Sequence, residues 1–256
     1  MRRTPDSARL TLDDPRFEAL GARLEVRRHP KARRMTLRVS RTQRAVVVTL
    51  PSQCEIGEAN SFVERHIDWV RERLGAIPEP VPLVNRALIP LRGVPHRIVF
   101  CGRRTGTGLV TAAEGPDYRE LHVSGPLDAA PRRFKQWLFD EARRDLDRSV
   151  AVHARRLNVH PKRISVRDQK SRWGSCSSTG SLSFSWRLVM APPFVLDYVA
   201  AHEVAHLREM NHGPRFWSLV EQTMPRMEEA KNWLQVYGMD LHRYGAEPDE
   251  RADPAV

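Results

Sequence analysis

One short motif, His202-Glu203-Val204-Ala205-His206, constrains the fold of this chain more than any other feature. Four residues advance an α-helix by about 6 Å and turn it by about 40°, so the two imidazoles project from one face, one turn apart. Two imidazoles at that spacing can bind one metal ion. Glu203 lies about 100° around the helix from His202, where it can reach a water molecule without competing for the ion. The motif therefore predicts a helix that carries an ionisable cluster.

The residues around the motif predict that this helix is buried. Over residues 194–210, two adjoining stripes at helical spacing are apolar except for the two histidines and Glu203. The opposite side has Asp197, Ala201 and Arg208. Burying these ionisable groups without a partner or a metal would be costly. We expect a metal site, and the alternative is a pair of hydrogen-bonded core histidines beside a salt-bridged glutamate.

A catalytic zinc ion usually has three protein ligands, and His212 is the expected third. A continuous helix would place His212 about 9 Å beyond the second histidine of the motif, out of coordination range. The helix must therefore end before it. Asn211 and Gly213 tolerate left-handed dihedrals, and Pro214 cannot continue a helix. His242 is the alternative third ligand.

Hydrophobic periodicity places the remaining elements along the chain. A β-hairpin is predicted over residues 24–39 and 45–50, with a turn at residues 41–44, followed by a helix over residues 56–74 and a Pro-rich linker at residues 78–82. Strands over residues 87–94, 96–100, 108–112 and 120–123 predict a small antiparallel sheet. One or two helices follow over residues 127–157, then strands at 164–166 and 181–188, and a helix that begins near Pro192-Pro193.

Charge is unevenly distributed along the chain. Lys and Arg number 42 against 31 Asp and Glu, a formal net charge of +11. Residues 23–44 carry nine Lys and Arg but one acid, Glu25. Such a surface can attract polyanions, or it can serve solubility alone. Weak nucleic-acid binding would use Arg27, Arg28, Lys31, Arg33 and Arg34.

Composition excludes several classes of protein. Cys54, Cys101 and Cys176 are far apart, which argues against a disulfide framework and against a zinc ribbon. No stretch approaches the roughly 20 apolar residues of a membrane helix. The basic N-terminus lacks the apolar core of a signal peptide. We expect a cytoplasmic protein that does not bind a membrane.

Four segments together resemble the YgjP-like metallopeptidases, relatives of the SprT and Wss1 proteases within the zincin superfamily. They are Ser-Arg-Trp-Gly-Ser-Cys-Ser at 171–177, the strand at 182–188, Asp-Tyr-Val-Ala-Ala-His-Glu-Val-Ala-His-Leu at 197–207, and Asn-His-Gly-Pro-Arg-Phe-Trp at 211–217. The similarity is close over residues 160–235, and the N-terminal Arg-Arg-Met-Thr-Leu-Arg-Val hairpin and the helix containing residues 66–70 extend it. Glu209 replaces the glycine of the metzincin pattern, so a metzincin is disfavoured.

The resemblance implies an α+β fold: a zincin-like catalytic domain whose central motif helix packs on a small antiparallel sheet, preceded by a hairpin and helix. It implies zinc held by His202, His206 and His212, with Glu203 as the catalytic acid and base. The predicted segments are a flexible N-terminus (1–20), a basic hairpin and helix (21–78), a small β region (79–126), the catalytic domain (127–245) and a flexible tail (246–256).

The predicted function is that of a zinc metallopeptidase acting on a peptide or protein. Zinc would lower the pKa of a water molecule and polarise the carbonyl group, while Glu203 moves the proton. Arg172, Tyr198 and Tyr237 are candidates for stabilising the oxyanion. The alternatives are a zinc-dependent hydrolase of nucleotides or other phosphate compounds, and a nucleic-acid-associated module with structural zinc.

Two aromatic segments allow both a functional and a structural interpretation. The turn at residues 171–177 precedes a predicted edge strand that could pair with an extended substrate. The structural alternative places Trp173 and Cys176 beneath the motif helix, with Gly174 permitting a tight turn. Phe216 and Trp217 are expected to belong to the core and not to a substrate pocket.

Overall fold

The computed structural model describes residues 9–12, 16, 22–40, 45–102 and 108–245. These residues divide into two compact units, one within Met1–Glu79 and one within Pro80–Glu247. The predicted C-terminal tail and the turn at residues 41–44 lie outside the described residues, as does most of the predicted N-terminal tail.

In the N-terminal unit, the described residues include a four-stranded mixed sheet and two helices whose bounds are seen. Its strands are β1 (Arg9–Leu12), β2 (Arg23–Arg28), β3 (Thr36–Ser40) and β4 (Ala45–Leu50), and its helices are α1 (Ile56–Glu64) and α2 (Ile67–Gly75). The sheet order is β1-β2-β4-β3. β3 and β4 pair antiparallel, as in the predicted hairpin, whereas β2 pairs in parallel with β4. β4 is buried at five of its six positions, because it is a central strand of this sheet.

The single helix predicted over residues 56–74 is two helices in the structure. The break is at His66, whose backbone leaves the helical region at φ −118° and ψ 16°. The His66 Nδ1 lies 2.8 Å from the Phe62 carbonyl oxygen, and the His66 amide donates instead to Val63. The side chain therefore takes the acceptor that the helical ladder would have used.

The second unit opens with a four-stranded sheet of order β5-β6-β8-β7. The strands are β5 (Leu88–Leu91), β6 (Val94–Phe100), β7 (Val110–Ala113) and β8 (Arg119–Val123). The prediction of an antiparallel sheet here is wrong, because β6 and β8 pair in parallel. The connection between them is long enough to include β7 and return the chain in the same direction.

A single helix, α3 (Ala130–Leu157), follows where one or two were predicted. Apolar residues that repeat along it at helical spacing are fully buried, namely Phe134, Leu138, Ala142 and Leu146. The helix ends at Asn158, which adopts the left-handed conformation at φ 50°. α3 contributes to both hydrophobic cores of this unit.

A three-stranded sheet follows α3, in the order β10-β11-β9. Its strands are β9 (Arg163–Arg167), β10 (Gly174–Cys176) and β11 (Ser181–Ser185). β9 and β11 are parallel and β10 is antiparallel to β11, so the small sheet beside the motif helix is mixed and not antiparallel. The strand predicted to Leu188 ends at Ser185, where a 3-10 helix begins (Trp186–Met190).

Three helices complete the unit: α4 (Pro193–Ala205), α5 (Pro214–Thr223) and α6 (Met227–Tyr237), followed by a 3-10 helix (Gly238–Arg243). α4 carries the motif and is buried on nearly all sides. Even Ala201, on its predicted outer side, has no exposed surface. The fold is thus mixed α+β. Among the helices that the structure describes, none has the length and apolar character needed to cross a membrane.

Candidate metal centre

The motif helix ends earlier than its sequence periodicity predicts. We expected a helix to Met210, but α4 ends at Ala205 and His206 is its C-cap. The Leu207 and Arg208 amides donate to carbonyls only three residues back, at 3.0 Å each. These bonds tighten the last turn and end the α-helix directly after the second histidine.

The chain then returns His212 to the motif by starting a new helix. Gly213 is the N-cap of α5, with extended dihedrals of φ −80° and ψ −177°, and Pro214 occupies the first turn. Asn211 and Gly213 tolerate left-handed dihedrals, but neither residue has a positive φ in the structure. The reversal needs no left-handed residue, because extended backbone leads into the next helix.

The three predicted histidines form one cluster. One ring nitrogen from each of His202, His206 and His212 lies within 4.8 Å of the other two, and no other such group of three metal-binding side chains occurs in the described ranges. The Nε2 atoms of His202 and His212 are 3.1 Å apart. Tetrahedral zinc with ligands at about 2.0–2.1 Å separates two nitrogens by about 3.3 Å. The cluster therefore fits one zinc-sized ion.

Hydrogen bonding orients one imidazole of the cluster. The Nδ1 of His206 lies 3.1 Å from the Glu209 carbonyl oxygen, so its proton is held there and Nε2 is left to bind a metal. The Nδ1 of His202 is buried without a hydrogen-bond partner among the described residues. The Nε2 atom of His206 is thus left to bind the ion together with the Nε2 atoms of His202 and His212.

Phe216 packs against the whole cluster. It is fully buried, and its ring centroid lies 4.8 Å from His202, 4.5 Å from His206 and 4.7 Å from His212. The interpretation of Phe216 as a core residue agrees with this burial, and the contacts add that it restricts the three rings. Trp217 is partly buried beside it and lies 4.6 Å from the Lys231 ammonium.

Burial keeps two of the imidazoles neutral. It lowers the pKa of His202 to about 4, assisted by the charges of His206, His212 and Lys231. Burial likewise lowers the pKa of His206, against the opposing hydrogen bond to Glu209. Neutral imidazoles are the form that binds metal.

Glu203 lies beside the cluster and is only 6% exposed. Burial raises its pKa to about 7, and the nearby Arg172 opposes that rise. Its Oε2 is buried with no hydrogen-bond partner among the described residues. A carboxyl group with a pKa near neutrality can both accept and return a proton.

Gly174 in β10 makes room for that carboxyl group. A Cβ atom at this position would lie 2.6 Å from both Cγ and Oε1 of Glu203. Gly174 does not have a positive φ, so the tight-turn interpretation of this glycine is wrong. The glycine is required by close approach, a reason that the local sequence does not reveal.

The other predicted site residues are dispersed. Tyr198 is buried, with its ring centroid 5.9 Å from that of His202. Burial and the charges of Glu228 and Glu203 raise its pKa to about 12. Tyr237 is 51% exposed. His242 is not in the cluster and lies 4.7 Å from Trp173.

The basic residues of the N-terminal unit fall into two groups. Arg27 donates to Glu25 at 2.8 Å, and Arg28 donates to the Ser52 carbonyl oxygen at 2.8 Å. The other three, Lys31, Arg33 and Arg34, are exposed between β2 and β3.

A buried polar network that the sequence did not indicate links α3, α4 and α5. His153 is fully buried, with Nε2 2.9 Å from Asp197 and Nδ1 2.7 Å from the Thr223 hydroxyl. Asp197 also accepts a hydrogen bond from Ser149. Burial favours a higher pKa for Asp197, but these hydrogen bonds lower it. The four residues lie on three separate helices, so no local pattern could have revealed the network.

The family model described as "YgjP-like, metallopeptidase domain" matches residues 33–237, which include all four residues of the site. Among solved structures, the metallopeptidase zymogen of Pyrococcus abyssi abylysin is similar at 20% identity and a TM-score of 0.34, over 36% of this chain and 92% of that chain. No curated protein is similar enough to count as a match.

Proposed function

The chain belongs to the YgjP-like metallopeptidase family, and we propose that it hydrolyses peptide bonds with a zinc ion held by His202, His206 and His212. The convergence of three imidazole nitrogens within 4.8 Å, next to a buried carboxyl group, carries this proposal. An all-histidine set with room for a further ligand is typical of catalytic zinc. In this proposal, the helix α4 and its surroundings form a zincin-like centre.

Each residue of the site has a separate task. The three histidines bind the ion through one nitrogen each, and Phe216 restricts their rings. A bound zinc ion would polarise the scissile carbonyl group and lower the pKa of a water molecule. Glu203 accepts the proton of the attacking water and returns it to the leaving nitrogen.

The structure favours two of the three candidates for oxyanion stabilisation. The Arg172 guanidinium interacts electrostatically with Glu203, and the charge of Glu203 is close enough to disfavour ionisation of the Tyr198 phenol. Because the pKa of Tyr198 is raised, its phenol stays protonated and can donate a hydrogen bond. Tyr237 is half-exposed, so we propose that Arg172 or Tyr198 fills this role.

The edge strand β10 supplies a surface for an extended substrate. The backbone amide of Ser185 donates to the Trp173 carbonyl, and the backbone amide of Ser177 donates to the Ser181 carbonyl, both at 2.9 Å. In an antiparallel pair such bonds alternate, so the backbone groups of Gly174 and Cys176 face away from β11. An extended peptide can pair with that edge through its main chain, next to Glu203.

Elemental analysis and substrate profiling test this proposal together. We expect about one zinc per chain in the purified protein, and loss of most of it in His202→Ala/His206→Ala. The zinc-loaded protein is incubated with a peptide library, with unfolded protein and with nucleoside triphosphates. New peptide termini that are absent with the double variant support the proposal.

Two results would overturn the proposal. Zinc retained in full by the double variant would remove the metal assignment. Release of phosphate from nucleotides with no peptide cleavage would favour the alternative of a zinc-dependent phosphate hydrolase.

A further inference from the structure

A groove of about 640 Å³ lies against the three-stranded sheet. Arg163, Ser165 and Arg167 of β9 line it, whereas the alternating Ile164 and Val166 pack against the core. Since successive side chains of a strand point to opposite faces, the groove lies on the face away from the core.

The groove is strongly basic. Four cationic side chains line it and no Asp or Glu does: Arg163, Arg167, Lys170 and Arg172. All four are exposed, and none has an ion-pair partner among the residues described here. The neighbouring acid Asp168 instead pairs with Lys135 and Arg187. The charges of Arg163, Arg167 and Lys170 are thus available to a ligand, whereas that of Arg172 also acts on Glu203.

The floor of the groove consists of small polar side chains. The strand register aligns three serines across the sheet, Ser175 opposite Ser183 and Ser183 opposite Ser165. Gln169 donates to the Ser183 hydroxyl at 3.0 Å. Small hydroxyl side chains admit a bound chain close to the sheet and offer hydrogen bonds to it.

The groove and the candidate metal centre share one strand, β10. Ser175 and Cys176 of β10 line it, and Gly174 in the same strand contacts Glu203. A polypeptide bound along the edge of β10 therefore reaches the groove within a few residues of the carboxyl group. One substrate polypeptide can then occupy both the groove and the candidate metal centre.

The lining favours a polypeptide over a nucleic acid. No aromatic side chain is among the residues that line the groove. Sites for single-stranded nucleic acid generally stack bases on such side chains. An exposed sheet edge, in contrast, binds extended polypeptide.

We propose that this groove binds acidic side chains of the substrate, so that the enzyme prefers peptides with Asp or Glu close to the cleaved bond. The preference rests on the proposed peptidase function. Arg163 and Arg167 are its specificity-determining residues, because they flank the serine floor and have no partner within the described chain.

Binding and cleavage are measured separately. A labelled peptide of alternating Glu and Ser, and its Gln-Ser counterpart, are titrated into full-length zinc-loaded Glu203→Gln. The same pair of compositions, placed beside a cleavable bond, gives kcat/KM with the unaltered enzyme. We expect the acidic peptide to be favoured roughly three- to tenfold in both measurements, the range that two solvent-exposed ion pairs support.

Two charge-matched variants assign the effect. Arg163→Gln/Arg167→Gln is expected to remove most of the preference, and high salt to weaken it. The control Arg132→Gln/Arg155→Gln removes the same charge from exposed positions of α3 outside the groove, and should keep the preference.

The outcomes separate this inference from the proposed function. Peptide cleavage without an acidic preference overturns the inference alone. Absence of any cleavage contradicts the peptidase, and the binding measurement still decides the groove. Single-stranded DNA that binds more tightly than the acidic peptide, and is released by Arg163→Gln/Arg167→Gln, would show a nucleic-acid surface instead.

Discussion

At the scale of single residues, the close approach of Gly174 to Glu203 leaves no space for a larger side chain at residue 174. The added methyl group of Gly174→Ala would lie 2.6 Å from the carboxyl side chain, so Glu203 must move. A displacement of about 1 Å can lower turnover about a hundredfold. We expect a large loss of peptide hydrolysis with zinc content unchanged, measured by kinetics and elemental analysis.

Gly57→Ala is the matched control for this substitution. A Cβ at Gly57 has no neighbour within 4 Å, and the residue lies in the first turn of α1. It should leave turnover unchanged. Equal turnover in Gly174→Ala and the parent would refute the positioning role.

The ion pair between Asp168 and Arg187 should make stability depend on pH. Burial favours a higher pKa for Asp168, but hydrogen bonding and charge from Arg187 lower it below the ordinary 3.8. A carboxyl group with a lower pKa in the folded chain stabilises the fold above the pH at which the unfolded carboxyl ionises. That stabilisation is lost as the pH falls through the lower, folded pKa.

Asp168→Asn should therefore destabilise the protein at pH 7 and much less at pH 3. Arg187 is 4% exposed and would keep its charge without this counter-ion. Because a third of the Asp168 side chain is exposed, water reduces the loss to roughly 1–2 kcal/mol. Urea unfolding of the parent and of Asp168→Asn measures the loss in the free energy of unfolding at each pH. An equal loss at pH 7 and pH 3 would contradict the account.

The residues that the sequence identified are those with a local signature. His202, Glu203 and His206 follow from helical spacing. His212 follows only if the helix ends before it, because a continuous helix would place it out of reach of the ion. The role of Gly174 in making room for Glu203 was found only in the structure, since the two residues are distant in sequence. Spacing along one helix is predictable, whereas close approach between elements depends on the whole fold.

At the scale of elements, helices were predicted better than strand pairing. One or two helices were predicted over residues 127–157, and one helix, α3, occupies most of that range. The helical periodicity over residues 56–74 hides the break at His66, because one side-chain hydrogen bond decides it. Parallel pairing of β6 with β8 and of β9 with β11 has no local signature, since strand partners are set by long connections.

The basic segment between β2 and β3 supports a test of polyanion binding. Its exposed residues, Lys31, Arg33 and Arg34, predict weak binding of single-stranded DNA. Replacing all three by Gln should reduce the salt dependence of binding by about 2 in the log–log slope, at roughly 0.7 per phosphate contact.

Arg27→Gln/Arg28→Gln is the comparison, because both side chains already have partners within the unit. It should change the slope much less. Titrations of labelled DNA at two salt concentrations measure both variants. An absence of binding at low salt, or a slope unaffected by the triple variant, removes this segment from the functional account.

At the scale of the whole molecule, the site belongs to one compact unit. The three histidines, Glu203 and two hydrophobic cores all lie within Pro80–Glu247. A chain that begins at residue 80 should therefore fold and hold about one zinc ion. Circular dichroism and elemental analysis check this, with His202→Ala/His206→Ala in the same fragment as control. A fragment that is unfolded in the presence of zinc would contradict the expectation.

The most direct test of the account is the turnover of Glu203→Gln. Glutamine keeps the shape of the side chain and removes the proton acceptor, while the three histidines are unchanged. We predict about one zinc per chain and a rate of peptide hydrolysis at least about a hundredfold below that of the parent, the contribution expected of a general base. Hydrolysis at close to the parent rate, with zinc bound, would contradict the central claim that Glu203 moves the proton.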